Sequence, residues 1–257
     1  MHPIIHLGPM PIASYGTLIC IGLFIGTAIA IFTAKKYNIE KIDVLLSTIL
    51  AGIGIIVGAK LVYMITVIPE VIQKFDYCKN HIFETIMYMF SGYVFYGGLI
   101  GALFGYMFYC KWFKVDFGSI LNIISPIIPL VHSFGRIGCF LGGCCYGIEY
   151  HGKFAIQFPE NEFVEELSLC PRFPIQLLEA GLNFILFLCL FYYARKVRKS
   201  GSILGIYLIC YAVMRFSLEF LRGDRGRGIF LGVSTSQWIS LILIPIGLYL
   251  VFRKIKK

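Results

Sequence analysis

The chain has 257 residues, of which 58% are hydrophobic and only 14% are charged, and its formal net charge is +9. A soluble domain of this length has no interior large enough for so much apolar surface, whereas a lipid bilayer accepts it. The composition therefore excludes an ordinary soluble protein and predicts an integral membrane protein.

Seven apolar runs in the sequence are long enough to cross the hydrocarbon core of a bilayer as helices. In chain order they cover approximately residues 14–34, 44–68, 86–109, 119–141, 175–194, 202–221 and 235–252. Because the runs are long and lack a strict alternation of apolar and polar residues, a membrane β-barrel is not expected. We predict an all-α, polytopic protein with seven transmembrane helices, in which residues 1–257 form a single membrane domain.

Basic residues concentrate in alternate connections between these runs. Thirteen of the 23 Lys and Arg residues follow the first, third, fifth and seventh runs, whereas eight fall in the other connections. Since basic loops stay in the cytoplasm, the N-terminus is predicted outside and the C-terminus in the cytoplasm. The longest connection, about residues 142–174, then forms a small outer cap. Topology and anionic lipid headgroups account for the positive charge, so no nucleic acid partner is predicted.

Two arginines interrupt the apolar runs near their outer ends, Arg136 in the fourth run and Arg215 in the sixth. An arginine inside a span costs about 2.5 to 3.5 kcal/mol on insertion scales, so it persists mainly where it is paired or used. Glu219 follows Arg215 by four residues, and a purely structural ion pair would also explain that spacing. Two cations in one leaflet nevertheless favour a site that binds an anion.

Four polar residues of the sixth run lie 0, 4, 8 and 11 positions after Tyr211. This spacing would place them on one stripe of a helix, about 80° wide. They are Tyr211, Arg215, Glu219 and Arg222. His132, Arg136 and Cys139 share a face of the fourth run in the same way, provided that this segment is helical. In the second run, Lys60 either extends its amine towards the outer surface or joins the anion site.

Glycines in the third run recur every four residues, at Gly97, Gly101 and Gly105. Small residues at this spacing allow a neighbouring helix to approach closely, so ordinary helix packing is the interpretation we favour for them. Gly52, Gly54 and Gly58 in the second run are interpreted in the same way.

Nine cysteines are scattered along the chain, and their odd number predicts no disulfide framework. Three of them, Cys139, Cys144 and Cys145, follow Arg136, and three roles for this cluster stay open. A metal or thiolate site that includes His132 is one, although zinc proteins do not commonly use the Cys-x4-Cys-Cys spacing. Covalent catalysis through Cys139 is another. Packing against the adjacent glycines is the interpretation we favour, so no metal and no cofactor is predicted.

Six short stretches occur in an order that is typical of one enzyme family. They are "SYG" at residues 14–16, "GAKLVY" at 58–63, "FYGGLIG" at 95–101, "GRIGCFLGGCCYG" at 135–147, "FPIQLLEA" at 173–180 and "YAVMRFSLEFLRGD" at 211–224. Together they resemble the motifs of the bacterial prolipoprotein diacylglyceryl transferases. The signature motif of that family begins Gly-Arg-x-Gly and ends in Gly. In this sequence the matching residues are Gly135, Arg136, Gly138 and Gly147.

The resemblance implies a transferase that moves the diacylglyceryl group of phosphatidylglycerol onto the cysteine thiol in the lipobox of a prolipoprotein. A thioether forms and glycerol phosphate leaves. The implied location is the bacterial cytoplasmic membrane, with the active site facing the outer leaflet. Arg136 and Arg215 are expected to hold the phosphate, and Glu219 is expected to orient Arg215. Further expected site residues are Tyr15, Lys60, Gly97, Gly98, Gly135, Gly138, Cys139, Tyr211 and Arg222.

The sequence departs from the family pattern at three positions. Tyr96 stands where the family usually has a histidine that is a proposed base, and Cys139 and Cys144 stand where the signature has asparagine and glutamate. A tyrosine, with an unperturbed pKa of about 10, is a poor base at neutral pH. His132, one helical turn before Arg136, is the candidate that replaces the missing histidine.

Two other functions stay open at this point. One is a related lipid-modifying transferase with a different acceptor. The other is a non-enzymatic transporter that binds anionic lipid without covalent change. A transporter is expected to contain inverted repeats or helices that break near the midplane, and the sequence gives no convincing sign of either.

Overall fold

The computed structural model describes residues 4–7, 10–159, 168–196, 201–224 and 228–253, and most of these are helical. Two antiparallel strand pairs are present, β1 (Ile4–Leu7) with β2 (Met10–Ala13) and β3 (Ile229–Phe230) with β4 (Val233–Ser234). The helices are α1 (Ser14–Ala34), α2 (Lys41–Gln73), α3 (Phe75–Asn80), α4 (Ile82–Met89), α5 (Phe95–Phe113), α6 (Phe117–Ile124), α7 (Ile127–Gly142), α8 (Ile175–Tyr193), α9 (Ser202–Leu218) and α10 (Thr235–Phe252).

The chain divides into two compact units. The described parts of residues 1–37 and 121–257 form the large unit, and residues 38–120 form the small unit. The large unit contains α1 and α7 to α10, and the small unit contains α2 to α5. Each unit is described below by itself.

Six helical segments of the described residues are long and apolar enough to cross a membrane. They are Ser14–Tyr37, Lys41–Gln73, Phe117–Gly142, Ile175–Tyr193, Ser202–Leu221 and Thr235–Phe252. Each overlaps one of the predicted runs. Their outward faces carry large apolar side chains such as Phe24 and Phe32, which are 79% and 78% exposed. Surfaces of this kind are suited to contact with lipid, as expected of a multi-pass membrane protein.

The predicted third run, residues 86–109, is wrong at its start. Helix α4 ends at Met89, a turn follows, and α5 begins only at Phe95. Gly92 in this turn lies against the ring of Tyr63, so any larger side chain would have to displace that ring. The apolar residues before the turn therefore belong to a separate short helix, which hydropathy alone does not reveal.

The predicted fourth run, residues 119–141, is interrupted rather than continuous. Helix α6 ends at Ile124 and α7 begins at Ile127. Pro126 lies between them, and proline has no backbone N–H with which to continue the hydrogen-bond ladder. The break makes α7 a separate 16-residue helix.

In the small unit, α2 and α5 pack through backbone contact. A Cβ atom at Gly101 would meet the carbonyl oxygen of Gly54, and one at Gly97 would meet that of Gly58. Because only glycine permits so close an approach, the predicted packing role is confirmed for these four glycines. It is wrong for Gly52, which has nothing within 4 Å of its Cβ position. Helix α5 is 19 residues long, which is enough to cross a membrane. Its glycines and tyrosines lower its mean hydropathy, and it is not among the six candidate spans.

In the large unit, α7 packs on both α1 and α8, and α9 packs on α10. Gly26 of α1 lies against the side chain of Ile127, and Gly205 of α9 lies against the carbonyl oxygen of Gly247 in α10. The interior of this unit contains many polar side chains. Gln176, Glu179, Asn183, Arg215 and Glu219 are all at most 6% exposed.

The connection between α7 and α8 corresponds to the predicted cap, about residues 142–174. Its described parts pair through short bridges, since Ile156 and Arg172 exchange backbone hydrogen bonds of 3.0 Å. The Ile148 N–H donates to the carbonyl of Leu221 at 3.0 Å, which joins this connection to the end of α9. Residues 160–167 of the predicted cap lie outside the described residues.

Candidate active site

Helix α7 presents His132 and Arg136 one turn apart, as predicted if this segment is helical. Arg136 Nε donates a hydrogen bond to His132 Nε2 at 3.2 Å. A nitrogen that accepts a hydrogen bond carries no proton, so this contact assigns the neutral His132 ring its proton on Nδ1. The two side chains therefore act as one unit on the face of α7.

Glu179 of α8 is the counter-charge of this pair. Its Oε1 lies 3.0 Å from Arg136 Nε and 3.6 Å from His132 Nε2. The Arg136 N–H points at the histidine, so the carboxylate oxygen is in ion-pair range but accepts no hydrogen bond among the described residues. Glu179 is 2% exposed. A buried carboxylate with an unused acceptor is unusual, and it indicates a place where another donor binds.

Glu179 was not among the predicted site residues, although "FPIQLLEA" was recognised as a motif. The signal was available, because a glutamate one turn into an apolar helix is costly unless it has a partner. What the sequence could not provide is the pairing across two helices that are about 40 positions apart in the chain.

Helix α9 supplies the second arginine pair. Arg215 Nη2 lies 2.8 Å from Glu219 Oε2 and donates to Ser236 Oγ at 2.9 Å. The predicted contact between Arg215 and Glu219 is thus present. Arg215 Nη1 is buried and makes no hydrogen bond within the described part of the chain. An unpaired buried donor costs free energy unless a ligand accepts its hydrogen bond.

Ser236 was not predicted, and a local motif fixes its position. Ser234 caps α10, because its Oγ accepts the N–H of Gln237 at 3.2 Å while Gln237 Oε1 accepts the N–H of Ser234 at 3.1 Å. This reciprocal capping box places Ser236 in the first turn of the helix. The pattern "STSQ" at residues 234–237 could have been recognised from the sequence.

The two arginine pairs lie close to a common histidine. The charges of Arg136 and Arg215 both act on the ring of His132. Tyr211 lies beside the same ring, with a centroid separation of 5.5 Å. The sequence analysis named only Glu219 as a carboxylate partner of these arginines, and Glu179 supplies a second. The four charged groups together are neutral, so any affinity for an anion comes from unused N–H donors rather than from excess charge.

Arg222 does not share the predicted stripe of α9. The helix ends at Leu218, a single 3₁₀ turn covers residues 219–221, and the backbone of Arg222 is extended and bridges Gly147. Its guanidinium binds Asp224 through two hydrogen bonds of 2.9 and 2.5 Å. The pairing of this strand with the α7–α8 connection ends the helix earlier than the side-chain pattern suggests.

The start of α1 packs on the glycines that follow Arg136. A Cβ atom at Gly138 would lie 2.9 Å from the Cα of Tyr15, whereas one at Gly135 would make only ordinary contact with Ile19 at 3.6 Å. Gly138 is therefore required for this close approach. The ring of Tyr15 is 47% exposed.

The three cysteines at the end of α7 form a compact cluster. The sulfur atoms of Cys139, Cys144 and Cys145 all lie within 4.8 Å of one another. The Cys144 S–H donates to the carbonyl of Cys139 at 3.8 Å. The neighbouring Cys139 and Cys144 side chains lower the pKa of the Cys145 thiol, and the positive charges of Arg136 and Arg222 add to this effect against its burial. His132 is not part of this group, because it binds Arg136 instead.

The remaining predicted site residues belong to the small unit. Lys60 donates to the carbonyl of Phe90 and lies 3.9 Å from the ring centroid of Tyr93. The Tyr96 side chain is 42% exposed. Gly97 packs on Gly58 as described above, and Gly98 lies against Ile55 and Ala59, so helix packing alone explains both glycines.

Comparison with known proteins gives a consistent result. Residues 2–253 match the sequence model of the family described as prolipoprotein diacylglyceryl transferase. The phosphatidylglycerol–prolipoprotein diacylglyceryl transferase of Clostridium tetani is 34% identical over 97% of this chain and 96% of its own length. The protein named phosphatidylglycerol–prolipoprotein diacylglyceryl transferase 2 of Clostridium perfringens is 33% identical over 94% and 90%. The enzyme of Rickettsia bellii is 30% identical over 98% and 95%.

Proposed function

The chain belongs to the prolipoprotein diacylglyceryl transferase family, and we propose that the two arginine–glutamate pairs of its large unit carry the reaction. It is a membrane transferase that moves the diacylglyceryl group of phosphatidylglycerol to the cysteine thiol of a prolipoprotein. The substrates are a phosphodiester anion and a thiol. The site must therefore hold a phosphate, stabilise the leaving phosphate and help the thiol to lose its proton.

The observation that carries the proposal is the unused hydrogen-bonding capacity of the arginines. Arg215 is fixed by Glu219 and Ser236 through Nη2, while its buried Nη1 has no acceptor among the described residues. The hydrogen bond that Arg136 makes to His132 uses Nε, so its Nη groups remain for a ligand. A phosphate oxygen is the acceptor that suits such donors, since guanidinium–phosphate hydrogen bonds are short and charge-assisted.

During transfer, the thiolate attacks the glyceryl carbon that bears the phosphate. The carbon–oxygen bond breaks and its electron pair stays on the phosphate oxygen of the leaving glycerol phosphate. The phosphate thereby changes from a monoanion to a dianion, and the two guanidinium groups stabilise the added charge. Glu179 and Glu219 hold the guanidinium groups in place before the charge develops, which removes the cost of reorganising them.

His132 is assigned here to the positioning of Arg136. Its Nε2 accepts the Arg136 N–H, so a role as general base requires that this hydrogen bond is first released. Tyr96, the residue at the position of the family's usual histidine, stays a predicted catalytic residue and is a poor base at neutral pH. Activation of the acceptor thiol therefore requires a further group.

We further propose seven spans, with α5 as the additional one, an outer N-terminus, a cytoplasmic C-terminus and a site in the outer leaflet. The large unit supports this arrangement. Arg136 and Glu219 lie near the ends of α7 and α9, and Glu179 and Ser236 lie near the starts of α8 and α10. Because successive spans alternate in direction, all four belong to the same membrane face. The connection after α7 then covers this face as a cap.

The test of the proposed function is a reconstituted transfer reaction. The purified protein is mixed with phosphatidylglycerol that carries a label in its diacylglyceryl group and with a lipobox peptide. We expect the label to appear on the peptide in a thioether that is stable to mild base. A peptide whose lipobox cysteine is replaced by serine is the matched control and should remain unlabelled. Bound lipid without labelled peptide would instead indicate a lipid-binding transporter.

A further inference from the structure

The cysteine cluster at the end of α7 has the geometry of a metal site with three sulfur ligands. An ion about 2.3 Å from each sulfur requires sulfur separations of about 3.8 Å in tetrahedral geometry. The present separations are all within 4.8 Å. Binding of an ion would therefore require the sulfurs to approach one another by up to about 1 Å. The spacing Cys-x4-Cys-Cys alone did not predict this, because it does not show that the chain folds back.

The backbone after α7 produces this arrangement. Gly143 and Cys145 both have left-handed backbone conformations, with φ of 74° and 55°. The N–H of Cys144 donates to the carbonyl of Cys139 at 3.1 Å, so the chain turns back over the last turn of the helix. Gln176 of α8 donates to the Cys144 carbonyl at 2.9 Å and holds the turn in place. The three sulfurs are thus positioned by the fold and not by chance side-chain rotation.

One side of the cluster is open. Cys139 is buried, Cys145 is half-buried and Cys144 is exposed. The cluster is also next to the candidate active site, because Cys139 follows Arg136 by one turn of α7. A structural metal site is normally closed by four protein ligands, whereas a catalytic one has three and leaves the fourth position open for a substrate. The described residues offer three ligands here, and the exposed Cys144 marks the side from which a fourth ligand would approach.

We propose that Cys139, Cys144 and Cys145 bind one zinc ion, and that the cysteine thiol of the acceptor occupies the fourth position during transfer. The inference rests on the proposed function, since only a thiol acceptor gives the open position a purpose. Zinc suits the site because it accepts sulfur ligands in tetrahedral geometry and has no redox chemistry of its own. Three thiolates give the zinc complex a charge of −1, and the positive charges of Arg136 and Arg222 act on this part of the cluster.

The ion would supply the thiol activation that the side chains lack. A thiol that coordinates zinc loses its proton outright, and the proton is released to water. The bound thiolate sulfur then forms a bond to the glyceryl carbon of phosphatidylglycerol, and the bond from that carbon to the phosphate oxygen breaks. The products are the thioether and glycerol phosphate, and the thioether sulfur, now neutral, leaves the ion. No oxidant or reductant is needed.

The first experiment measures metal content. The protein is purified without chelators, and its zinc content is quantified by inductively coupled plasma mass spectrometry. We expect one zinc per chain in the wild type and in Cys210→Ser, a control variant with an exposed cysteine on α9. Cys139→Ser, Cys144→Ser and Cys145→Ser should each weaken binding about 10-fold or more. Wild type that binds no zinc, when supplied with zinc alone in reducing buffer, overturns the inference; so does equal binding by the variants.

The second experiment separates the metal site from the proposed function. After removal of zinc by a chelator, thioether formation should be lost, and it should return on addition of zinc. Replacement of zinc by cobalt should give a sulfur-to-cobalt absorption band that changes when the lipobox peptide is added and does not change with the cysteine-to-serine peptide. Transfer that persists at full rate without metal overturns the inference but supports the proposed function. Zinc binding without transfer under any condition overturns the proposed function and the catalytic role of the ion with it.

Discussion

The two units hold their helices together in different ways. In the small unit, α2 and α5 meet backbone to backbone at glycines such as Gly54 and Gly101. The large unit also has such a contact, between Gly205 and Gly247, but there buried charged side chains join helices as well, as Glu179 of α8 does with Arg136 of α7. Backbone-to-backbone packing at these glycines leaves no space between the two helices. Charged contacts between helices leave donors and acceptors with unused capacity, and the candidate active site lies where these occur.

This contrast separates stability from function. Contacts between glycines are expected to matter for folding only, because nothing reactive lies at them. The arginine–glutamate pairs are expected to affect both, since a buried charge without its partner is destabilising and the same groups hold the phosphate. Variants of the two units should therefore fall into different classes.

Loss of Glu179 should have the largest effect. Glu179→Gln removes the counter-charge of buried Arg136, and breaking a buried pair of this kind costs about 3 to 5 kcal/mol. We expect a lower unfolding temperature in detergent together with a large loss of transfer. The double variant Arg136→Met with Glu179→Leu is the control, because it removes both charges. It should recover stability but not transfer, and recovery of transfer would contradict the role assigned to Arg136.

Loss of Arg215 should lower both transfer and stability, because it leaves Glu219 buried without its counter-charge. Removal of a donor that stabilises developing negative charge typically lowers the rate about 10²- to 10³-fold. Arg215→Ala should show such a loss in the rate of labelled peptide formation, while Arg195→Ala, which removes a guanidinium that lies 5.1 Å from the ring of Tyr192, should leave it unchanged. A similar small decrease in both variants would show that the guanidinium of Arg215 has no special function.

Overpacking of the small unit should lower stability by an intermediate amount. Gly54→Ala places a methyl group against the backbone of Gly101, and such overpacking costs about 1 to 3 kcal/mol. Gly52→Ala is the matched control on the same helix, because nothing lies within 4 Å of its Cβ position. Thermal unfolding measures the difference. Equal unfolding temperatures for the two variants would mean that α2 and α5 are not in backbone contact.

Loss of Ser236 should have the smallest effect. Ser236→Ala removes one hydrogen bond to Arg215, whose guanidinium Glu219 still holds. A single hydrogen bond contributes about 1 kcal/mol, so the transfer rate should fall less than about 10-fold. Ser240→Ala on the same helix is the control, since among the described residues its hydroxyl bonds to the backbone of Ser236 and not to Arg215. A loss as large as that of Arg215→Ala would mean that Ser236 contacts a substrate itself.

The sequence predicts the membrane helices well because their signal is local. The apolar runs that begin at Ser14, Ile175, Ser202 and Thr235 start within one residue of the observed helices. The predictions were less accurate where packing decides the structure. The turn at Gly92 depends on the ring of Tyr63, which lies about 30 positions away in the chain.

The site is predictable to the extent that it consists of costly residues in apolar runs. Arg215, Glu219, His132 and Arg136 were identified in this way, and the contacts within each helix follow from their spacing. Glu179 was not identified, and a metal role for the three cysteines was only one of three open alternatives, because each depends on how segments fold back or meet in space. Contacts of that kind leave no trace in the periodicity of one sequence.

The most direct test of the central claim is a cryo-electron microscopy structure of the protein in a lipid nanodisc with phosphatidylglycerol bound. We expect a phosphate oxygen about 2.8 Å from Arg215 Nη1, with Arg136 on the same phosphate. If the lipid phosphate is bound away from both guanidinium groups, and Arg215 Nη1 faces only apolar side chains, the two arginines do not form the phosphate site.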